Sequence, residues 1–371
     1  MAYTTIDDPS EYFHTQLYTG NGSDDRNITN DANAGDFKPD WLWIKQRSDT
    51  RGHIIVDSSR GATLRLRPDS VNAEDTKADH VQLFLTDGFQ LGTNNTTNVS
   101  SGTYVAWQWK ANGGTSSASR SESGVQPAFD RQTNTTAGFS IVTYTGVGTN
   151  SGSSEHPAIL HGLGAKPELA FFKNRSSGVR WSIWFNAINS AGSNVFQGFD
   201  DGAHGGSNGA SHFGDAAPNT TSFFLGGVPT DDGTANSSTN TDGDNYVAYI
   251  FTPIKGFSKF GSYKGTGNAD GTFVYTGFKP AWLMVKLSSG SGENWHIWDN
   301  KRNTSNVIKE RLIADGTAPE NANDSILDFV SNGFKFRENN AGWNGSGNTY
   351  AYMAFAEHPF VSSEGVPVTA R

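Results

Sequence analysis

The chain has 371 residues, a net charge of −9 at pH 7 and no cysteine, which excludes disulfides and thiolate chemistry. Its basic residues are scattered, and no apolar run approaches the roughly 20 residues that a transmembrane helix needs. We therefore expect neither a nucleic acid nor a membrane as a partner.

The composition predicts an all-β protein. Glycine is abundant at 43 residues, while 24 Phe, 11 Tyr and 10 Trp supply large side chains for a core. The period of 3.6 residues that marks amphipathic helices is nearly absent. The amino-terminal residues 1–9 are neither basic nor followed by an apolar segment, so we expect no secretory signal peptide.

Five landmarks occur in one order in each of three modules, and this recurrence decides the predicted domain organisation. In chain order they are a Tyr-x-Gly-x-Gly motif, a Lys-Pro strand, an alternating strand, a turn with a short strand, and a closing aromatic strand. In the first module they are Tyr18–Gly22, residues 38–45, residues 53–57, Asp87–Leu91 and Tyr104–Trp109. We predict a polar lead-in with module one at 1–112, a linker at 113–137, module two at 138–255 and module three at 256–371.

The Lys-Pro strand is the most informative landmark. Its three copies are Lys38–Lys45, Lys166–Lys173 and Lys279–Lys286, and in each the proline and the closing lysine are six residues apart. Proline is tolerated at the first residue of a strand because it cannot donate to the ladder. Consecutive hydrophobic residues after it predict a strand that is covered on both faces.

The segment between modules one and two differs from the segment between modules two and three. Residues 113–124 are rich in glycine and serine, which is typical of a flexible tether. Modules two and three are joined almost directly near Lys255–Phe257. We therefore expect modules two and three to pack as a pair, with module one on a tether.

The Tyr-x-Gly-x-Gly motif, the Lys-Pro-x-Trp motif and the turn at Ser331–Phe334 resemble those of structural proteins of marine tailed phages. The closing stretch Tyr350–Phe360 is the most specific part of this resemblance. Such proteins are described as tail-fibre-like, and their repeated module is similar to concanavalin-A-like jelly rolls. The resemblance covers essentially the whole chain, although module two lacks the Asn-Gly turn and carries inserted loops. It implies three tandem jelly-roll β-sandwich modules and a location on the virion surface, and it names no catalytic residue.

No motif makes a strong case for catalysis. Gly205–Gly209 matches the Gly-x-Ser-x-Gly pattern, but it lies in a Gly/Ser loop with no helix after it, and a nucleophile elbow requires a strand-to-helix turn. The alternating carboxylates that a glycoside hydrolase on this fold uses are absent. We expect no enzymatic activity.

Two polar clusters are candidates for metal binding. His204 and His212 lie near three aspartates, but their spacing of eight residues fits no zinc template, so an exposed loop is the more frequent explanation. Asp242 and Asp244, with Asp231 and Asp232 nearby, offer oxygen ligands of the kind that Ca²⁺ takes. Acidic turn residues are again the more frequent explanation. We expect no cofactor other than this candidate Ca²⁺.

Tryptophans are candidates for stacking on sugars. Seven fall in the repeated strands, where core packing is the better interpretation: Trp41, Trp43, Trp107, Trp109, Trp282, Trp295 and Trp298. Trp343 is different, because it lies with Asn344 in a polar loop, and we predict that it is exposed or at an interface. A further repeated pair, Asp57 with Arg60 and Asp299 with Arg302, is predicted to lock a tight loop.

These observations predict a non-enzymatic phage protein on the virion surface, in a tail fibre or similar appendage, with recognition of host glycans as a candidate role. A capsid decoration protein and a polysaccharide depolymerase are the alternatives. The expected partners are other virion proteins, host-surface carbohydrate and further copies of the chain. A homotrimer is the expected oligomer because phage appendages are commonly symmetric and sheet edges must be paired or covered.

Overall fold

The computed structural model describes residues 3–31, 37–148, 156–188, 196–200, 202, 212–213, 216–226, 239–290, 292–322 and 326–367. The protein is all-β, with antiparallel sheets and a few short helical turns in the described residues. The strands form three units, which we define as residues 13–109 (unit 1), 118–251 (unit 2) and 258–359 (unit 3).

Unit 1 contains two sheets. Strands β1, β9, β3, β4, β5 and β6 form the larger sheet in that order, and β2, β8 and β7 form the smaller one. The strands are β1 (Phe13–Thr19), β2 (Arg26–Ile28), β3 (Trp41–Gln46), β4 (Ile54–Asp57), β5 (Gly61–Leu66), β6 (Asp75–Thr76), β7 (Val81–Leu85), β8 (Gly88–Leu91) and β9 (Thr103–Trp109). A short helix α1 (Asn95–Asn98) precedes β9, and a 3₁₀ turn (Pro9–Glu11) precedes β1.

Unit 2 repeats this plan with extra strands at one edge. Its larger sheet has the order β10, β11, β12, β18, β14, β15, β16, and β13 pairs with β17. The strands are β10 (Ala118–Arg120), β11 (Phe129–Asn134), β12 (Phe139–Thr145), β13 (Ala158–Leu160), β14 (Leu169–Asn174), β15 (Ser182–Phe185), β16 (Phe196–Gln197), β17 (Ser222–Phe224) and β18 (Asn245–Phe251). A 3₁₀ turn (Asn186–Ile188) follows β15.

Unit 3 has a larger sheet of order β19, β26, β21, β22, β23 and a smaller sheet of order β20, β25, β24. The strands are β19 (Ser258–Lys264), β20 (Phe273–Tyr275), β21 (Phe278–Leu287), β22 (His296–Asp299), β23 (Leu312–Ile313), β24 (Leu327–Val330), β25 (Gly333–Phe336) and β26 (Thr349–Pro359). In all three larger sheets the closing aromatic strand therefore lies between the Lys-Pro strand and the strand that carries the tyrosine of the Tyr-x-Gly-x-Gly motif, which is β1, β12 or β19.

The Lys-Pro strand is buried on both faces in every unit, as the sequence predicts. All six residues of β3 and of β14 are buried, and so is β21 from Pro280 to Leu287. Side chains alternate across a strand, so one face of each larger sheet packs on the smaller sheet of its own unit. In β3, Leu42 and Ile44 take this inner direction, whereas Trp41 and Trp43 point the other way.

The opposite faces of the three larger sheets meet in one central cluster. It contains Trp41, Trp107 and Trp109 of unit 1, Phe171, Tyr249 and Phe251 of unit 2, and Trp282, Met353 and Phe355 of unit 3. Every pair of units is in contact there. The ring centroids of Trp41 and Tyr249 are 4.8 Å apart, those of Trp109 and Trp282 are 5.7 Å apart, and those of Phe251 and Phe355 are 5.9 Å apart. Module one is therefore not a separate tethered body.

The predicted flexible linker is instead built into the sheets. Within residues 113–137, β10 and β11 pair with each other, and β11 extends the larger sheet of unit 2. Ahead of β10, the Asp40 carboxylate accepts hydrogen bonds from the backbone N–H groups of Ala111 and Gly113, at 2.7 and 2.9 Å. The Gly/Ser-rich segment therefore forms an ordered connection between units 1 and 2. Its composition alone does not indicate mobility.

A buried ion pair within unit 1 and a half-buried ion pair between units take part in the contact of unit 1 with unit 2. The Asp57 carboxylate is 2.5 Å from the Arg60 guanidinium, and it also accepts a hydrogen bond of 2.6 Å from the Tyr249 hydroxyl of unit 2. Glu74 of unit 1 pairs with the same Arg60 and also with Arg175 of unit 2, the latter at 2.9 Å. The predicted Asp-x-x-Arg pair therefore exists, and it also ties neighbouring units together.

The same contacts recur between unit 3 and unit 1. Asp299 pairs with Arg302 at 2.6 Å and accepts a hydrogen bond of 3.0 Å from the Trp107 indole of unit 1. Glu320 of unit 3 pairs with Arg47 of unit 1 at 2.7 Å. Because Trp107 and Tyr249 hold equivalent places in the closing strands, unit 1 is related to unit 2 as unit 3 is to unit 1. This repeated relation gives the chain an approximate threefold arrangement.

In units 1 and 2 the repeated lysine at the end of the Lys-Pro strand serves the same contacts. Lys45 donates a hydrogen bond of 3.2 Å to the carbonyl of Thr317 in unit 3, and Lys173 donates one of 2.9 Å to the carbonyl of Val71 in unit 1. Burial lowers the pKa of Lys45 and of Lys173 to about 8. In unit 3 the equivalent Lys286 donates to the Glu293 carbonyl of its own unit, so the recurring amine satisfies backbone carbonyls in all three units.

The shared cluster predicts that the three units unfold together. Trp41→Ala should lower the free energy of unfolding by about 3–5 kcal/mol, the usual cost of truncating a buried aromatic, because Trp41 contacts both units 1 and 2. Denaturant unfolding followed by far-UV circular dichroism and by tryptophan fluorescence should give one coincident transition. Leu83→Ala, at a half-exposed position, is the control and should cost under about 0.5 kcal/mol. A separate early transition in the Trp41 variant would contradict the shared core.

Candidate functional site

The prediction for Trp343 is wrong, because its side chain is fully buried. Its loop turns back so that the Asn340 carbonyl accepts hydrogen bonds from the backbone N–H groups of Trp343 and Asn344. The indole packs against Trp298 at 5.7 Å and against His296 at 5.0 Å, in the core between the two sheets of unit 3. A polar loop can bury a large aromatic when the backbone satisfies its own hydrogen bonds.

Asn344 is also fully buried, and its amide clamps a neighbouring loop instead of binding a ligand. Its Oδ1 accepts a hydrogen bond of 3.0 Å from the Thr266 N–H, and its Nδ2 donates to the carbonyls of Asn268 and Glu338 at 2.8 and 2.9 Å. Each donor and acceptor of the side chain is thereby used within the fold.

This asparagine recurs in all three units, six residues before the first tyrosine of the closing strand. Asn98 accepts from the Asn21 N–H at 3.1 Å, and Asn240 accepts from the Val147 N–H at 3.0 Å. In each case the donor lies between the two glycines of the Tyr-x-Gly-x-Gly motif. The fixed spacing to Tyr104, Tyr246 and Tyr350 was visible in the sequence, and it would have identified a sixth landmark.

The first glycine of that motif is required by close approach of the backbone. A Cβ atom at Gly20, Gly146 or Gly265 would lie 2.0–2.3 Å from a carbonyl oxygen of the asparagine loop. The tyrosine before it stacks on the first tyrosine of the closing strand, with centroids 4.9–5.1 Å apart in the three units. The motif is therefore structural in every unit.

The histidine and aspartate candidates do not form a metal site in the described residues. His204 and the aspartates Asp231 and Asp232 lie outside those residues. His212 is buried against Ser182, its Nδ1 being 2.7 Å from the hydroxyl, and burial lowers its pKa to about 4. No group of three His, Cys, Asp or Glu side chains in the described part of the chain could hold a metal ion.

The predicted Ca²⁺ ligands Asp242 and Asp244 are separated by their surroundings. Asp242 is exposed. Asp244 accepts hydrogen bonds from the Asn174 amide at 2.7 Å and from the Ser177 hydroxyl at 3.1 Å. These donors hold the turn before β18 against the end of β14, which is the structural role that acidic turn residues commonly have.

A pocket of about 360 Å³ lies where all three units meet. Asp69 of unit 1, Asp200 of unit 2 and Asp315 of unit 3 line it, with Trp181 and Phe199 among the remaining residues. Asp69 and Asp315 are equivalent, since each accepts a hydrogen bond from the backbone N–H just before β4 or β22, at His53 and Trp295 respectively. Burial, with a further contribution from Asp200, raises the pKa of Asp315 to about 6.

A second pocket, of about 420 Å³, lies at the contact between units 1 and 3, where the chain has no covalent connection. The lead-in residues Asp7 and Ser10 line it together with His14, Lys301 and Glu357. Burial lowers the pKa of the His14 imidazole. The lead-in closes the contact by hydrogen bonds from Ser363 to the Asp7 carboxylate and from the Tyr3 hydroxyl to the Gly277 carbonyl.

The outer face of the smaller sheet of unit 3 carries exposed aromatic side chains. Phe273 and Tyr275 in the edge strand β20 are 46% and 48% exposed. By contrast, all ten tryptophans are less than 2% exposed. Any stacking on a ligand therefore has to use phenylalanine or tyrosine, and these two positions offer them.

The sequence matches one family profile, described as a domain of unknown function (DUF7483), over residues 8–359. The chain belongs to the DUF7483 family. One continuous match covers all three units of this DUF7483 protein, together with the end of the lead-in. No curated protein and no solved structure matches the sequence significantly. No helix in the described part of the DUF7483 chain is long and apolar enough to cross a membrane.

The hydrogen bonds of the buried Asn344 amide predict that removing this side chain lowers the stability of the fold. Asn344→Ala should lower the free energy of unfolding by about 2–4 kcal/mol, because it leaves buried backbone groups without partners. Asn339→Ala, at an exposed position in the same loop, is the matched control and should change it by under about 0.5 kcal/mol. Equal effects of the two substitutions in urea unfolding would show that the clamp contributes nothing.

The pocket between the three units predicts a pH-dependent effect of Asp315→Asn. The folded-state pKa of about 6 exceeds the ordinary 3.8, so this group's stabilising contribution is complete below pH 3.8 and is lost as the pH rises through 6. The variant should therefore be more stable than the parent by about 1–3 kcal/mol at pH 7.5 and nearly equal to it at pH 4. Thermal unfolding at both pH values checks this, with Asp242→Asn as the exposed control. A gain of the same size at both pH values would contradict the assignment.

Proposed function

We propose that this DUF7483 protein is a structural protein on the surface of a phage particle, as part of a tail fibre or similar appendage, and that it recognises a host-surface glycan. The observation that carries the proposal is the arrangement of three β units around one aromatic core within a single chain. It supports a rigid body that displays loops, because the buried aromatics and ion pairs bind the units to one another and leave only outer faces and loops for partners.

We extend the proposal to the fold of each unit, which we describe as a jelly-roll sandwich of the concanavalin-A-like kind. The recurring order of the larger sheet supports it, as does the smaller sheet that covers one of its faces in each unit. The motif resemblance to structural proteins of tailed phages supports the same assignment. Three such sandwiches in tandem would present three similar edges and loop clusters around the shared core.

A capsid decoration protein is the second candidate, and one specific observation favours it. The faces of the larger sheets that could join three copies of a one-unit protein are already occupied within this chain. A chain that closes its own threefold arrangement does not need two further copies to do so. The homotrimer nevertheless remains our prediction for an appendage, where the contacts would come from outer faces or from the lead-in.

Immunogold microscopy tests the location. Antibodies against the purified chain should label the tail or its appendages on particles of the virus that encodes it. Label distributed over the head would instead support capsid decoration, and absence of the chain from purified particles by mass spectrometry would overturn both. Sedimentation equilibrium at tens of micromolar should give three times the chain mass of 39.9 kDa for an appendage trimer. A monomer would favour the head.

The depolymerase alternative requires a separate assay. A reducing-sugar assay on envelope polysaccharide of the host should show no sustained release in the presence of the purified chain. Continuous turnover that scales with protein concentration would make the protein an enzyme and overturn the structural proposal.

A further inference from the structure

The outer face of the smaller sheet in unit 3 combines exposed aromatics with lysines, and we call it the aromatic face: Phe273, Tyr275, Tyr3, Lys255, Lys259 and Lys335. Phe273 and Tyr275 are two of the five large hydrophobic side chains that are exposed in the described part of the chain. Val274 between them is buried in the core of unit 3. Strand alternation therefore directs both aromatic rings to the same, solvent-facing side.

The geometry of this face is fixed by its neighbours. Residues two apart on a strand are separated by about 6.5–7 Å, so the two rings form adjacent platforms. Tyr275 lies opposite Gly333, and a Cβ atom at Gly333 would be 2.9 Å from the Phe273 ring. The backbone itself requires this glycine, since the same Cβ atom would lie 2.1 Å from the Val274 carbonyl oxygen, and the Phe273 ring extends over the same position of the neighbouring strand. The Tyr3 hydroxyl is 3.2 Å from the Tyr275 hydroxyl and adds a third ring at the end of the row.

Lysines surround the rings. The Lys259 ammonium lies 5.2 Å from the centre of the Tyr275 ring and donates a hydrogen bond of 2.7 Å to the Tyr275 carbonyl. The Lys255 ammonium lies 4.3 Å from the centre of the Tyr3 ring, and Lys335 is the cross-strand neighbour of Phe273. Asp270 pairs with Lys335, whereas the described residues provide no ion-pair partner for Lys255 or Lys259. This positive surface lies on a chain whose net charge is −9.

The other two units lack these aromatics at the equivalent positions. Ile28, Ile159 and Val274 correspond, because each is the cross-strand partner of an equivalent phenylalanine in the smaller sheet, namely Phe89, Phe223 or Phe334. The positions of Phe273 and Tyr275 are accordingly Asn27 and Thr29 in unit 1, and Ala158 and Leu160 in unit 2. The fold therefore does not require the two rings, since the equivalent strand pairs β2–β8 and β13–β17 form without them.

We propose that the aromatic face binds an acidic polysaccharide, carboxylated or sulfated, with sugar rings stacked on Phe273 and Tyr275 and the acidic groups paired with Lys255 and Lys259. The proposal deepens the glycan recognition that is part of the proposed function. Aromatic rings supply flat apolar area at a low cost in conformational entropy, and ammonium groups select for negative charge. The opposite sign of this surface relative to the whole chain is the reason for choosing an anionic occupant.

Binding of the purified full chain to defined polysaccharides tests the proposal. Alginate represents a carboxylated polymer, ι-carrageenan a sulfated one, dextran a neutral one, and poly-glutamate an anion without sugar rings. Isothermal titration calorimetry should show binding to alginate or carrageenan, and the comparison of the two identifies the acidic group. Dextran and poly-glutamate should bind at least about tenfold more weakly. Raising the NaCl concentration from 0.05 to 0.5 M, which we choose to screen exposed charges, should weaken binding.

The decisive variant is Phe273→Asn with Tyr275→Thr, because unit 1 carries Asn27 and Thr29 at the equivalent positions of its β2–β8 strand pair. Circular dichroism and thermal unfolding should be close to those of the parent, while polysaccharide binding falls by about tenfold or more. Lys259→Gln should weaken binding to the acidic polymer, and Leu83→Ser, at an exposed hydrophobic position of unit 1, should leave it unchanged.

Several results would overturn the proposal. They are unchanged binding in the double variant, equal binding to poly-glutamate, and no binding to either acidic polysaccharide. A change in sedimentation mass caused by Phe273→Asn with Tyr275→Thr would show instead that the face contacts a second copy of the chain. All of these measurements use the isolated protein. Their failure is therefore distinct from a failure of the virion location, which immunogold microscopy decides.

Discussion

The structure depends on one constraint, which is that the Lys-Pro strand of each unit is buried on both faces. In β3, Leu42 and Ile44 fill the core of unit 1, while Trp41 and Trp43 enter the cluster shared by all units. A single sandwich would expose the second face, and a surface of adjacent tryptophans in water would be strongly unfavourable. Three units remove that surface by packing against one another. The shared core therefore explains why the repeats occur in one chain as a group.

The contacts between units also show how one sequence pattern accepts two chemical solutions. Asp57 and Asp299 hold equivalent positions opposite Trp41 and Trp282 of the Lys-Pro strands. In unit 2 the equivalent residue is Phe185, opposite Leu169. The aspartates are neutralised by arginine and face Tyr249 or Trp107, which can donate a hydrogen bond. Phe185 instead lies in the central cluster with Met353, the equivalent of Tyr249 in unit 3. Polar partners occur on both sides of a contact or on neither, as expected when an unpaired buried charge is costly.

The repeat, the all-β class and the double burial of the central strand were predictable from sequence, because they follow from local periodicity and from landmark order. The relation between units was not, since nothing in a strand's alternation says which surface covers its second face. Trp343 shows the limit within one unit, because the composition of its loop indicated exposure while backbone hydrogen bonds to the Asn340 carbonyl allowed burial. The segment 113–137 shows the same limit, since Asp40, distant in sequence, fixes the stretch just before β10. Asn98, Asn240 and Asn344 are a missed signal of another kind, which spacing alone could have revealed.

In a chain of three similar units, positions that must be the same in every unit report the fold, and positions that differ are free to report function. The tyrosine stack, the glycine approach and the asparagine clamp are present in all three units, so they are needed wherever this sandwich forms. Phe273 and Tyr275 occupy positions where unit 1 has Asn27 and Thr29, and the two strand pairs have the same register. Exposed aromatics lose the free energy that burial would supply, and the fold gains nothing from them at a place where polar residues suffice. Their presence in unit 3, beside lysines on an acidic chain, is therefore better explained by a partner than by stability.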